Sequence, residues 1–272
     1  MTIPEISAQV EDYLVSRRAM GFDLWGAGYQ LRAFARFANE QSEAGSLTLE
    51  LLLRWAQGAV EPGPVTAARR AEVLRPFLKY CRQFDPVCPV VPLGLCGPGH
   101  RRLSPHIYTA AEVTALLVAS RELKPDGLHP LTYVTLFGLL AATGMRLSEA
   151  LRLERKDLNL DQPSLTVRET KFKKSRLVPI HVSTAKALAV YQKATLATPR
   201  HPGVETVLLT AEGLSIPNRT IHNTFDRLRR RLGWVARGGH AQPRIHDLRQ
   251  RADSPIMPTS LPEALWVVPA AS

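Results

Sequence analysis

The stretch Ala141-Ala-Thr-Gly-Met-Arg-Leu-Ser-Glu-Ala-Leu151 decides how the rest of the chain is read. Ahead of it, residues 131–142 are apolar on all sides, which predicts a helix buried in a core. Thr143-Gly144 breaks that helix, and helical spacing resumes over residues 146–153. Arg146 therefore stands at a helix start, where the backbone already carries positive partial charge. A guanidinium added to a helix N-terminus makes a pocket for an anion. The plainer alternative is an arginine paired with Glu149 or Glu154.

Two further cationic features follow. Residues 165–169 and 177–181 read as strands joined by Thr170-Lys-Phe-Lys-Lys-Ser-Arg176, a hairpin with a charged tip. Lys171, Lys173, Lys174 and Arg176 crowd this tip. Like charges repel without a partner, so a DNA groove and its phosphates are the reading preferred over a solvated turn. Later comes Arg244-Ile-His246-Asp-Leu-Arg249. His and Arg three apart share a helical face. A histidine moves protons near neutral pH, and an arginine grips two phosphate oxygens at once. Taken alone, that pair is more simply an ordinary surface pair.

The remaining periodicity predicts helices. Residues 5–20, 25–43, 48–57 and 64–83 form a bundle, with stripes such as Leu31, Phe34, Ala35 and Ala38. Residues 109–121 open on a Thr109-x-x-Glu112 capping box. Residues 183–196 and 218–232 complete the set, the last with Arg227, Arg230 and Arg231 opposite its apolar stripe. The expected fold is mainly α with a small β-hairpin. The expected organisation is a helical domain over 1–84, a linker over 85–105, a mixed domain over 106–250 and a Pro-rich tail over 251–272. Five prolines and three glycines between Phe84 and Pro105 argue for that linker.

Composition narrows the function. The 272 residues carry a net charge of +11, and residues 1–100 balance at 10 basic against 10 acidic, so the whole excess lies in the second part. A polyanion, nucleic acid first, is the implied partner. Arg101 and Arg102, at the linker's end, are candidate backbone contacts. The longest stretch without a charged residue or histidine, 130–145, is too short and too polar for a membrane helix. Cys81, Cys88 and Cys96 form no metal or disulfide pattern. Met1-Thr-Ile-Pro-Glu5 lacks the basic start of a secretory signal. A soluble, cytoplasmic protein with reduced thiols is expected.

Thr143-Gly-Met-Arg-Leu-Ser-Glu149, then Lys171-x-x-Lys-x-Arg176-Leu-Val-Pro179, then His246-Asp-Leu-Arg249, in that order, resembles the tyrosine recombinases of the phage integrase family. The resemblance covers residues from about 5 to 250. It implies a helical core-binding domain and a catalytic domain gripping opposite sides of duplex DNA. It implies transfer of a scissile phosphate through a phosphotyrosyl intermediate, with no metal and no small-molecule cofactor. By position, Arg146 and Arg249 look like the arginines on the non-bridging oxygens. Lys171 looks like the hairpin lysine that protonates the leaving 5′-oxygen, and His246 like the histidine assisting proton transfer. Lys173, Lys174 and Arg176 would add DNA contacts. Fixed cations aimed at a phosphorane lower its barrier.

The sequence also departs from that pattern. The family's nucleophile is a tyrosine well beyond the His-x-x-Arg arginine, preceded by a His or Trp. Here the tyrosines are Tyr13, Tyr29, Tyr80, Tyr108, Tyr133 and Tyr191. From Gln250 the residue pattern changes, and Pro255, Pro258 and Pro262 forbid a regular helix. Trp266 lacks the expected turn before it. The expectation is a truncated or frameshifted recombinase deficient in cleavage, with intact recombinase protomers as further partners. Two alternatives compete with it: a non-catalytic DNA-binding remnant that occupies recombination sites or inhibits intact relatives, and an unrelated basic module for RNA or a membrane surface.

Overall fold

The computed structural model describes residues 5–41, 46–58, 64–99, 102–168 and 174–251. The chain divides into two compact units between Arg102 and Leu103.

The first unit is built on four helices among the described residues: α1 (Ile6–Ala19), α2 (Trp25–Glu40), α3 (Leu49–Gln57) and α4 (Pro64–Cys81). Each follows from its predicted segment, shorter by up to three residues at an end. Thr48 sets the start of α3, its hydroxyl accepting the Leu51 N–H at 3.2 Å. The stripe Leu31, Phe34, Ala35 and Ala38 is buried against Leu51, Leu52 and Trp55 and against Leu74, Phe77 and Leu78 of α4. The Phe34 and Trp55 rings meet edge-on, with centroids 5.3 Å apart.

The Pro- and Gly-rich stretch packs on this same unit as far as residue 99. Cys88 and Val91 lie in its core. Arg75 donates from Nε to the Val91 carbonyl at 3.1 Å and from Nη2 to that of Pro92 at 3.0 Å. Arg69 Nε does the same for Gly99 at 3.1 Å. Proline and glycine remove regular structure, but the apolar residues between them still bury, and arginines satisfy the carbonyls left over.

The second unit contains α5 (Ala110–Arg121), α6 (Leu128–Thr143), α7 (Leu147–Leu151), α8 (Val182–Ala194) and α9 (Asn218–Arg231). Its sheet is β1 (Leu158–Asn159), β2 (Ser164–Val167) and β3 (Arg176–Pro179), antiparallel and in that order. Leu165 lies opposite Val178, and Val167 opposite Arg176. The predicted hairpin thus forms, while its tip over 169–173 lies outside the described residues. The α6 helix is buried from Pro130 to Ala141, as its all-round apolar pattern predicts. The capping box at Thr109 and Glu112 is present. Ile221, Phe225 and Leu228 of α9 and Ile245 and Leu248 of a 3-10 segment (Ile245–Arg251) pack into the same core as α6. The fold is mainly helical with a small antiparallel sheet. No helix among the described residues is long and apolar enough to cross a membrane.

Candidate functional site

Two turns build the site. The first begins where α6 ends on Gly144, whose φ of +64° is left-handed and whose N–H reaches the Leu140 carbonyl at 3.0 Å. Only glycine adopts that conformation without strain. The turn leaves Arg146 immediately ahead of α7. Glu149 then closes the first turn of α7: Oε2 accepts the Arg146 N–H at 2.8 Å, and Oε1 accepts Arg146 Nη1 at 2.7 Å.

Arg176, at the start of β3, reaches the same carboxylate with Nη2 at 2.8 Å and Nη1 at 3.3 Å. Glu149 is only 3% exposed. Burial alone would raise its pKa, but Arg176, the Arg146 amide and the Arg146 guanidinium hold it down at about 2. One ionised carboxylate thus fixes two guanidiniums, each more than a third exposed, and the pair keeps a net positive charge.

The second turn is the 3-10 segment. Asp247 is fully buried and accepts from Arg244 three times: the backbone N–H at 3.1 Å, Nε at 3.3 Å and Nη2 at 2.6 Å. With three residues per turn, a 3-10 segment places His246 and Arg249 one above the other. Ile245 and Leu248 anchor the opposite side in the core, while His246 is exposed and Arg249 half-buried.

The two turns meet electrostatically at His246. Partial burial of its imidazole lowers the pKa. Arg249, Arg244 and, from the other turn, Arg146 lower it further, and Asp247 alone opposes them. The charges of Arg146 and Arg249, far apart in the chain, are thus both felt at His246. Guanidinium charge acting on an imidazole held below its ordinary pKa can attract an anion, and the imidazole can pass a proton beside it. Among the described residues, no group of three or more His, Cys, Asp or Glu is placed to hold a metal ion.

Not every predicted residue can be placed. Lys171, Lys173 and Arg101 lie outside the described residues, as does the tail from residue 252. Lys174 and Arg102 are exposed. Arg176, expected on DNA, spends its terminal nitrogens on Glu149. The Arg244–Asp247 clamp was not anticipated, although its spacing of three matches that of Arg146 and Glu149. The tyrosine hydroxyls of the described second unit are committed: Tyr108 to the Arg244 carbonyl at 3.0 Å, Tyr133 to Thr224 at 3.1 Å, and Tyr191 to Thr132 and the Leu209 N–H, both at 3.0 Å.

Residues 107–259 match the phage integrase family. Over 245 residues the chain is 36% identical to y4rB of Sinorhizobium fredii, a protein named as an integrase/recombinase, spanning 88% of this chain and 78% of that one. The chain belongs to the phage integrase family. A second Sinorhizobium fredii protein named as an integrase/recombinase, y4rE, is 30% identical over 251 residues, covering 90% of this chain and 78% of its own.

Solved structures share the phage integrase fold at lower identity. Lambda integrase bound to DNA superposes with a TM-score of 0.67 at 17% identity, over 93% of this chain and 85% of that one. The Tn1549 transposon integrase in complex with transposon right end DNA gives 0.66 at 17%, over the same shares. The family match runs to residue 259, past the change of pattern at Gln250.

Proposed function

We propose that this phage integrase relative is a site-specific DNA recombination protein that binds duplex DNA and holds one backbone phosphate between Arg146 and Arg249. The observation that carries the reading is that the charges of Arg249, Arg244 and Arg146 all bear on His246, while the four guanidiniums of Arg146, Arg176, Arg244 and Arg249 outnumber the two carboxylates, Glu149 and Asp247, that pair with them. A phosphate diester supplies that anion, and each guanidinium offers paired donors to its non-bridging oxygens. His246, its pKa lowered by its neighbours, is the group that would assist proton transfer at that phosphate once a nucleophile is supplied. Lys171, in the sequence between β2 and β3, is the acid that would protonate a leaving 5′-oxygen once a nucleophile is supplied. Lys173, Lys174, Arg101 and Arg102 track the backbone, and residues 1–84 add a second DNA-binding surface. Arg176 serves the phosphate by holding Glu149, and through it Arg146. The solved relatives named above are complexes with DNA, which supports this choice of polyanion.

The 272 residues contain no tyrosine after Tyr191. The hydroxyls of Tyr108, Tyr133 and Tyr191 are buried and hydrogen-bonded. These residues by themselves therefore clamp and polarise a phosphate without attacking it. A second reading rests on the same observation: a DNA-binding remnant that occupies recombination sites, blocks intact relatives, or borrows a tyrosine from one of them.

A duplex carrying a nick that traps covalent intermediates tests the proposal. The purified chain should bind it in a salt-dependent way and give no covalent adduct. An adduct would overturn the cleavage-deficient reading. Binding that ignores Arg146→Ala and Arg249→Ala would overturn the phosphate clamp. Adduct formation only after an intact relative is added would favour the borrowed tyrosine.

A further inference from the structure

We propose that Tyr108 is a positioning residue for the turn that carries His246 and Arg249. Its hydroxyl donates to the Arg244 carbonyl at 3.0 Å, and that same carbonyl accepts the Asp247 N–H at 3.0 Å. This carbonyl is the acceptor that opens the 3-10 segment, so Tyr108 holds the segment from outside. Arg244 is also locked to Asp247 through its own amide and guanidinium. The hydroxyl thus fixes a closed ring of contacts from which His246 and Arg249 extend.

Tyr108 is itself held on every side. Its ring is 2% exposed and lies between His106, with centroids 4.6 Å apart, and Trp234, at 5.2 Å. The next residue, Thr109, caps α5. Glu112 accepts the Thr109 N–H at 2.8 Å and Arg237 Nη2 at 2.5 Å, and lies 3.2 Å from His106 Nε2. Arg237 also donates to the Ile107 carbonyl at 3.1 Å. Residues 106–109 are therefore pinned both to α5 and to the segment around Arg237. Burial, with Asp247 and Glu112 nearby, pushes the Tyr108 phenol up against the opposing pull of Arg229 and Arg244, so the hydroxyl keeps its proton and its role as donor. A 3-10 turn has poorer internal hydrogen bonds than an α-helix and gains most from such an outside tie.

The functional meaning of this tie rests on the phosphate-clamp reading; the geometry does not. Tyr108→Phe removes the donor and keeps the ring. The readouts are the His246 imidazole signal against pH and the hydrogen exchange of the Asp247 amide, both in the DNA-free protein. The groups facing His246 are Arg249, Arg244 and Asp247 on its own turn and Arg146 from the other. With the tie gone, the His246 midpoint should rise toward the ordinary imidazole value, and the Asp247 amide should exchange about tenfold faster, the loss of one buried hydrogen bond. Affinity for a duplex should fall by about fivefold. Trp234→Phe, which trims packing against the ring and leaves the hydroxyl, should not move the His246 midpoint.

A folded Tyr108→Phe protein with unchanged His246 titration and Asp247 exchange overturns the proposal. If that variant does not fold, the wild-type hydroxyl proton decides: slow exchange and proximity to the Asp247 amide uphold the tie, and exchange at the solvent rate sinks it. If His246 and Asp247 respond while the wild type binds no duplex, the positioning role stands and the phosphate clamp falls.

Discussion

Arg176 places both terminal nitrogens on the carboxylate of Glu149, a buried residue 27 positions earlier in the chain. The contact registers β3, and with it the base of the hairpin, against the corner that presents Arg146. A charge pair this close to the proposed phosphate clamp would do more than stabilise the fold, because it sets the distance between two sources of cationic charge.

Glu149→Gln tests that role. The amide keeps the shape and loses the charge, so two exposed guanidiniums lose their anchor, at a cost of about 2 kcal/mol. The pH dependence has a definite sign. Glu149 is held at about 2 in the fold against an ordinary 4.5, so its contribution is complete above 4.5 and fades as the pH falls toward 2. Denaturant unfolding of both proteins from pH 6 to pH 2 should show the difference shrinking across that window. A gap independent of pH would show that charge plays no part.

Much of this was legible in the residues, for physical reasons that also explain the rest. Residues 131–142 carry no polar face, so their burial could be read directly, and Thr109 with Glu112 is a cap whose residue types announce it. The clamps at Arg146–Glu149 and Arg244–Asp247 use the same spacing of three, but arginine is not a capping residue, so the first reads as an ordinary ion pair and the second does not stand out at all. β1 is two residues long, too short for alternation to show. Arg176 looked like part of a cationic tip because sequence spacing cannot tell a side chain that faces a groove from one that turns back onto a buried carboxylate. The convergence of Arg146 with His246 was reachable only through the family resemblance, since nothing local in either segment points to the other.

His246 should report the pocket's occupancy. Partial burial, Arg249, Arg244 and Arg146 depress its pKa, so the imidazole is neutral at pH 7 in the free protein. Because the folded value lies below the unfolded one, this group favours the fold above the ordinary histidine range and opposes it as the pH falls through that range. Arg146→Ala or Arg249→Ala should each raise the midpoint. A bound phosphate should raise it further, since the anion cancels the cations around the ring. Following the imidazole signals by NMR with and without duplex checks both. A midpoint indifferent to DNA places the phosphate elsewhere.

The two arginines should behave as one unit. Each removed alone should weaken duplex binding about tenfold and lower the salt-dependence slope by about one contact. If both serve the same phosphate, the double variant should lose less than the product of the single effects. Titrations at several salt concentrations yield all of these numbers. Fully independent losses would put Arg146 and Arg249 on different phosphates.

Gly144 offers the sharpest test of how the first turn is made. Its φ of +64° is what lets the chain leave α6 and bring Arg146 to the head of α7. An alanine there costs about 1–2 kcal/mol through the clash of its Cβ in the left-handed region. Asparagine is larger but tolerates that region through local hydrogen bonds, while valine is branched at Cβ and tolerates it least. The expected order of stability is therefore Gly, Asn, Ala, Val, which runs against side-chain volume at its second step. Duplex affinity should follow the same order, because the guanidinium of Arg146 is displaced with the turn. Thermal unfolding and binding of Gly144→Asn, Gly144→Ala and Gly144→Val measure both series. A ranking by size, with asparagine below alanine, would mean that crowding rather than backbone conformation governs this corner.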